Sequence, residues 1–181
     1  MVSDNPDFHP TDVFEDADGS LLVVDTGGWY KLCCPTSQIA KPEVLGAIYR
    51  IRRTDAKLMK DPRGSKWGWD KMETFQIVGQ LDHPRPHIRH RAMAQLAKEG
   101  IGAIDPLKFS VMNTKTTTGR RNAVWALARI DHPSARVIIR TALRDRDISV
   151  QQVAAHSAGI YRDAAAIPQL LKLLKSKSLH V

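Results

Sequence analysis

HIRHRAMAQLAKEG (87–100), TGRRNAVWALARID (118–131) and SVQQVAAHSAGIYR (149–162) are one pattern written three times. A shift of 31 residues brings Ala92, Ala123 and Ala154 into one column. The same shift aligns Leu96, Leu127 and Ala158, then Ala97, Ala128 and Gly159, then Arg89, Arg120 and Gln151. Met112, Leu143 and Leu174 fall in register further on, with Leu81 one period earlier. Self-similarity at such a stride marks an array in which each unit buries its faces against its neighbours.

Within each copy the small and apolar residues recur three and four positions apart, the stripe of a buried helix face. A second apolar segment follows each copy. The pattern predicts helix pairs over 86–99 with 103–113, 118–130 with 134–145, and 148–161 with 164–176. Residues 71–81, with Phe75, Ile77, Val78 and Leu81 on one face, read as the second helix of an incomplete first unit. Pro86, Pro106 and Pro133 fall in first turns, where a missing N–H costs nothing, and Pro168 near the start of its helix. Gly100 and Gly102 are expected to end a helix in the left-handed conformation. Asp82 and Asp131, each before His-Pro, are the expected caps of the helices that follow.

The first 53 residues have another character. Residues 11–14 and Leu21–Asp25 are strand candidates around a Glu15-to-Gly19 turn, and 46–52 alternates apolar and polar with period two. Gly27 and Gly28 interrupt the second strand, and a loop with Pro35 and Pro42 follows. Three short strands cannot bury a core by themselves. Residues 54–70, TDAKLMKDPRGSKWGWD, lack periodicity and read as a linker whose Trp67 and Trp69 pack onto one domain. The expected class is therefore α+β, mainly α. A β-meander over 1–53 precedes a linker over 54–70 and an α-solenoid over 71–181.

Charge follows the same division. Residues 1–53 hold 8 acids against 5 Lys and Arg, whereas 54–181 hold 11 against 22, so the overall +8 sits in the helical part. A basic array is compatible with an anionic partner or with nothing more than a solvated surface. No run of about 18 apolar residues is present, so no membrane-spanning segment is expected. The acidic first residues do not form a signal peptide. Cys33 and Cys34 are adjacent, with no metal or haem spacing around them, and whether they are oxidised is open.

Two resemblances attach to these residues. The run HPTDVFEDADGSLLVVDTGGWYKLCC, with KPEVLGAIYRIRR, resembles the last β-propeller blade of the large dehydrogenase-like proteins of planctomycetes. Those proteins are similar to soluble sugar dehydrogenases. In them the propeller precedes HEAT-like repeats and a c-type haem domain. The 31-residue helix pairs resemble short HEAT-like repeats, also found in bilin lyases. The resemblance implies a fragment of an exported or periplasmic protein, with the array as a protein-binding scaffold. It also implies that Thr11 and Asp12, on the strand lining a propeller channel, lie nearest a substrate. Haem and quinone would belong to the full-length relatives; no site for a cofactor is legible in this chain.

Asp25-Thr26-Gly27 imitates the loop of an aspartic protease, but that chemistry needs two aspartates sharing a proton. The plain reading is a strand ending in a glycine turn. Asp16-Ala17-Asp18-Gly19-Ser20 opens like a calcium loop, yet loop position twelve is Gly27 in place of the bidentate Glu. A β-turn is expected. His83, His87 and His90 lack acidic or cysteine partners at metal spacing, so no metal site is expected. Arg89, Arg91, Arg120 and Arg121 are the candidates for contact with an anion or a partner. Some HEAT-like DNA repair glycosylases bind DNA through such arginines. The competing reading makes them ladders to Asp145, Asp147 and Asp163 of the next unit. No catalytic residue is expected, and a nucleic-acid-binding module is the alternative to the protein scaffold.

Overall fold

The computed structural model describes residues 4–5, 7–27, 43–57 and 59–175. Cys33, Cys34, Gly28, Pro35, Pro42 and Val181 lie outside them. The chain separates into two compact units, Met1–Arg63 and Gly64–Val181. The boundary falls inside the 54–70 stretch.

In the first unit β1 (Pro10–Glu15), β2 (Leu21–Asp25) and β3 (Ala47–Ile51) form an antiparallel sheet in that order. Val23 pairs with Val13 on one side and Tyr49 on the other, and Leu22 with Phe14 and Arg50. The β1–β2 connection is a tight turn: the Gly19 amide donates to Asp16 O at 2.9 Å, and Asp16 N to Ser20 O at 2.8 Å. Gly19 takes φ +79°, which favours glycine. Two residues past the end of β2, Gly27 has φ +64°, and a Cβ there would stand 2.5 Å from Val44 O. Any side chain there would displace the segment that leads into β3.

This sheet buries little. Val23 is the only buried large apolar residue among the unit's described residues, while Val13, Phe14, Ile48 and Tyr49 are exposed. Period-two alternation puts Val13 and Tyr49 on one face and Phe14 and Ile48 on the other. Both faces are thus apolar and open.

The second unit is a two-layer helical array. Its α-helices are α1 (Thr74–Gly79), α2 (Pro86–Glu99), α3 (Ile104–Asn113), α4 (Thr117–Leu127), α5 (Pro133–Ala142), α6 (Ile148–Ile160) and α7 (Ile167–Leu173). α2 packs on α4 and α4 on α6, which makes a layer of first helices; α1 packs on α3 and α3 on α5, which makes a layer of second helices. α1 therefore occupies the place of a second helix. Ala92, Ala123 and Ala154 have no exposed surface, nor do Leu96 and Leu127. A methyl group at that column lets the backbones of neighbouring first helices approach, and a larger side chain would force them apart.

Several local expectations change. Gly100 ends α2 with φ +63° but ψ −124°, outside the left-handed helical region, and Gly102 lies within a short 3-10 turn. The 31-residue column of Leu81, Met112, Leu143 and Leu174 splits, with Leu81 and Leu143 buried and Met112 and Leu174 64% and 76% exposed. α3 continues through Met112 and carries its side chain outward. Trp125 is partly buried, packed against the core and edge-on to His156 at 5.5 Å.

Trp69 is in the core, its indole N–H donating to Gly64 O at 2.6 Å, and Trp67 stacks on it at 5.8 Å. The aromatic pair seals the start of the helical unit, as a packing role requires. Gly64 holds φ +61° beneath Ile88, where a side chain would meet that isoleucine.

Candidate interaction surface

The arginines in the repeat column serve the array itself. Arg89 donates to the carbonyls of His83 and Pro84 at 2.7 and 2.8 Å. Arg120 donates to those of Thr114 and Lys115 at 3.1 and 2.9 Å, and Gln151 to that of Asp145 at 2.6 Å. In each copy a long polar side chain reaches back over the same offset. There it satisfies carbonyls of the turn between helices, which would otherwise be orphaned.

Arg120 goes further. Its Nε and Nη2 also hold Asp145, one unit on, at 2.8 and 3.0 Å, and the two side chains are 5% and 8% exposed. That forked pairing raises the guanidinium's already high pKa, with the Asp145 hydrogen bond as the largest cause. Further rungs join Thr117 Oγ1 to Asp147 at 3.0 Å and Arg146 to Lys115 O at 3.0 Å. Another joins Arg140 to Asp163 at 2.7 Å. Asp145, Asp147 and Asp163 are all used in this way.

Helix caps share the period. Arg85, Thr116 and Asp147 occupy equivalent N-cap positions, and Thr116 and Asp147 accept the backbone N–H groups of Gly119 and Ser149. The Ser149 hydroxyl and amide, then Thr117, hold the Asp147 carboxyl below the usual range. Of the two Asp-His-Pro entries, the one before α5 has the histidine as N-cap, whereas α2 has Arg85 at that position and His83 binds the Arg85 amide. His132 Nδ1 accepts from Ser134 N at 3.2 Å, and His83 Nδ1 from Arg85 N at 3.0 Å. Asp131 instead pairs with Arg136. The imidazole reaches the amide two residues on, which leaves the preceding carboxylate outside the helix entry.

Of the four candidate arginines, Arg89 and Arg120 are thus occupied within the turns. Arg91 and Arg121 are half-buried on the first-helix layer and take no ion pair among the described residues. The structure does not draw the four into one cationic cluster. On that layer His87, Arg89 and Arg129 lie close enough to His90 to lower its pKa, after desolvation as the first cause.

In the first unit Thr11 and Asp12 lie on β1, an edge strand, and both are exposed. Thr11 Oγ1 donates to Val24 O at 3.4 Å, and Asp12 accepts from Val13 N at 2.8 Å beside a register shift. Asp25 is buried and accepts from the amides of His9 and Gly27 at 3.1 and 2.9 Å, so it closes the strand end. Asp16 and Asp18 form the hairpin turn and pair with Arg50, Arg52 and Arg63. Asp18 is lowered to about 2, first by the Ser20 hydroxyl at 2.5 Å. No group of three metal-ligating side chains occurs among the described residues.

The surface that sequence reasoning missed is on the second helices. Phe75 and Phe109 meet edge-on at 6.3 Å, and both are about 60% exposed. Met112 of α3 and Val137 of α5 line one groove, with Lys108 and Asp105 at its rim. Val137 also lines the next groove, where Arg140 of α5, Arg144 of the turn after it, and Pro168 and Lys172 of α7 contribute. The column through Phe109 runs to Arg140 and Leu171, so no sequence period announces it. It emerges only when neighbouring helices are placed side by side.

Residues 104–181 match the family model for HEAT repeats. The helical unit is accordingly a HEAT-like array, a helical scaffold suited to interaction. No curated protein matches the chain. No helix among the described residues is long and apolar enough to cross a membrane.

Proposed function

We propose that the chain is a non-catalytic interaction scaffold whose HEAT-like array holds a protein partner on its second-helix layer. One observation carries this reading: Phe75, Phe109, Met112 and Val137 are exposed on successive second helices, beside grooves, while the repeat arginines are consumed internally. Exposed apolar side chains gathered on one surface mark places where another protein is covered.

The sheet supports a finer proposal. With apolar side chains open on both faces, it has the character of a blade that packs against further strands. That suits a portion of an exported, haem-associated, dehydrogenase-like protein, in which Thr11 and Asp12 would face the propeller channel. Haem and quinone would be held by other parts of that protein.

A photocrosslinker replacing Phe109 in the producing organism tests the scaffold reading. It should yield one defined protein adduct that the same probe at Gln152, on the first-helix layer, does not. Equal adducts from both positions, or none, would end it. The second reading, a nucleic-acid module, draws on the cations crowding His90 on the first-helix layer. It requires salt-dependent duplex binding that weakens in Arg121→Ala plus Arg129→Ala.

A further inference from the structure

The two grooves flanking Val137 differ from a plain apolar face in the charge around them. Lys108 on α3, Arg144 just past the end of α5 and Lys172 on α7 stand at their margins. None of these three makes an ion pair among the described residues, and the Arg144 guanidinium donates to the neutral Gln169 side chain at 3.1 Å. Of the nearby acids, Asp163 is taken by Arg140. That leaves Asp105, in the first turn of α3, as the one carboxylate lining either groove among the described residues. Between the cations lie the exposed side chains of Met112 and Val137, with Pro168 beyond.

Resting on the scaffold reading above, we propose that this surface takes an acidic amphipathic segment of a partner protein. Its apolar side chains enter the grooves on either side of Val137, and its carboxylates meet Lys108, Arg144 and Lys172. The pattern of the site sets the chemistry of the occupant. An apolar floor selects side chains spaced at about one helical turn, as in helix-in-groove recognition. The unpaired cations at the rim speed encounter with acidic segments and disfavour basic ones. A duplex would gain from the same cations, but its phosphates would leave Met112 and Val137 covered by polar backbone.

The test uses the full chain and a fluorescent 16-residue helical peptide with Leu on one face and Glu on the other. Fluorescence anisotropy at about 0.15 M salt should show saturable binding that weakens as salt rises. Lys108→Glu plus Lys172→Glu should weaken it at least tenfold, with an unchanged thermal melt. Val137→Asp should do the same, whereas Lys98→Glu plus Arg129→Glu on the first-helix layer should leave it within twofold. A Lys-for-Glu peptide should fail to bind. The proposal is overturned if the acidic peptide does not bind, if the Lys peptide binds equally, or if the first-helix variant is the more damaging. Tighter binding of a duplex than of the peptide at the same salt overturns it as well. Should the peptide fail while the Phe109 crosslink to a protein persists, the scaffold reading stands and the acidic partner does not.

Discussion

Arg120 shows how a basic residue can serve the inside of a solenoid. Its guanidinium is buried, paired with Asp145 and hydrogen-bonded to two turn carbonyls, so removing it strands a buried carboxylate and both carbonyls together. Arg120→Met should lower the free energy of unfolding by about 3–5 kcal/mol, measured by urea denaturation. Adding Asp145→Leu should recover part of that loss, because the isolated charge is gone while the carbonyls stay unsatisfied. No change in Arg120→Met would mean that the pair is not formed. His83 offers a pH-dependent counterpart. Desolvation first, then Arg85 and Arg89, lower its pKa, and its Nδ1 must stay unprotonated to accept the Arg85 amide. Trp67 stands edge-on to the same ring at 5.5 Å. The folded state therefore holds this proton less tightly than the unfolded one. Its contribution is whole above about pH 6.5 and is lost as the pH falls toward the lower folded value. Unfolding free energy measured from pH 7.5 to 5 should fall more steeply in the wild-type protein than in His83→Asn, whose side chain can accept the same bond without titrating. Parallel curves would remove His83 from the account.

At the scale of the helix the repeat is kept by turns as much as by apolar stripes. Thr116 and Asp147 cap α4 and α6 from equivalent positions, and each accepts an amide of the first turn. Thr116→Ala and Asp147→Ala should each cost about 1 kcal/mol, Asp147 the more because it also binds Thr117. Equal stability of either variant and the parent would show that the cap is idle. These caps carry residue types that any reader of sequence would accept, yet Asp82 and Asp131 carry them too and do not cap. At the entry to α5 the His132 ring takes the Ser134 amide, and at the entry to α2 Arg85 holds the N-cap position, so neither aspartate is used. The helix pairs themselves were legible because Ala92, Ala123 and Ala154 must be small wherever first helices meet. The outward position of Met112 was not, since the column it shares holds buried Leu81 and Leu143 and exposed Leu174 alike.

Across the whole molecule the two units differ in how much they bury. α4 is covered by α2, α3, α5 and α6, whereas the sheet encloses Val23 and little else. Amide hydrogen exchange should be slowest in the second half of α4, around Ala123 to Leu127, and markedly faster in β1 and β3, the edge strands. Sheet amides as slow as those of α4 would require a covering that Val23 alone does not supply. The chain's own order of residues determined the stride of 31, the helix pairs and the three strands, since periodicity is a local property and every copy repeats it. Which arginines close turns and which remain free, and that Phe109, Met112 and Val137 share a surface with Lys108 and Lys172, was decided by the packing of successive units. Those neighbours are some thirty residues apart in sequence, and only the stacking of layers brings them within reach of one another.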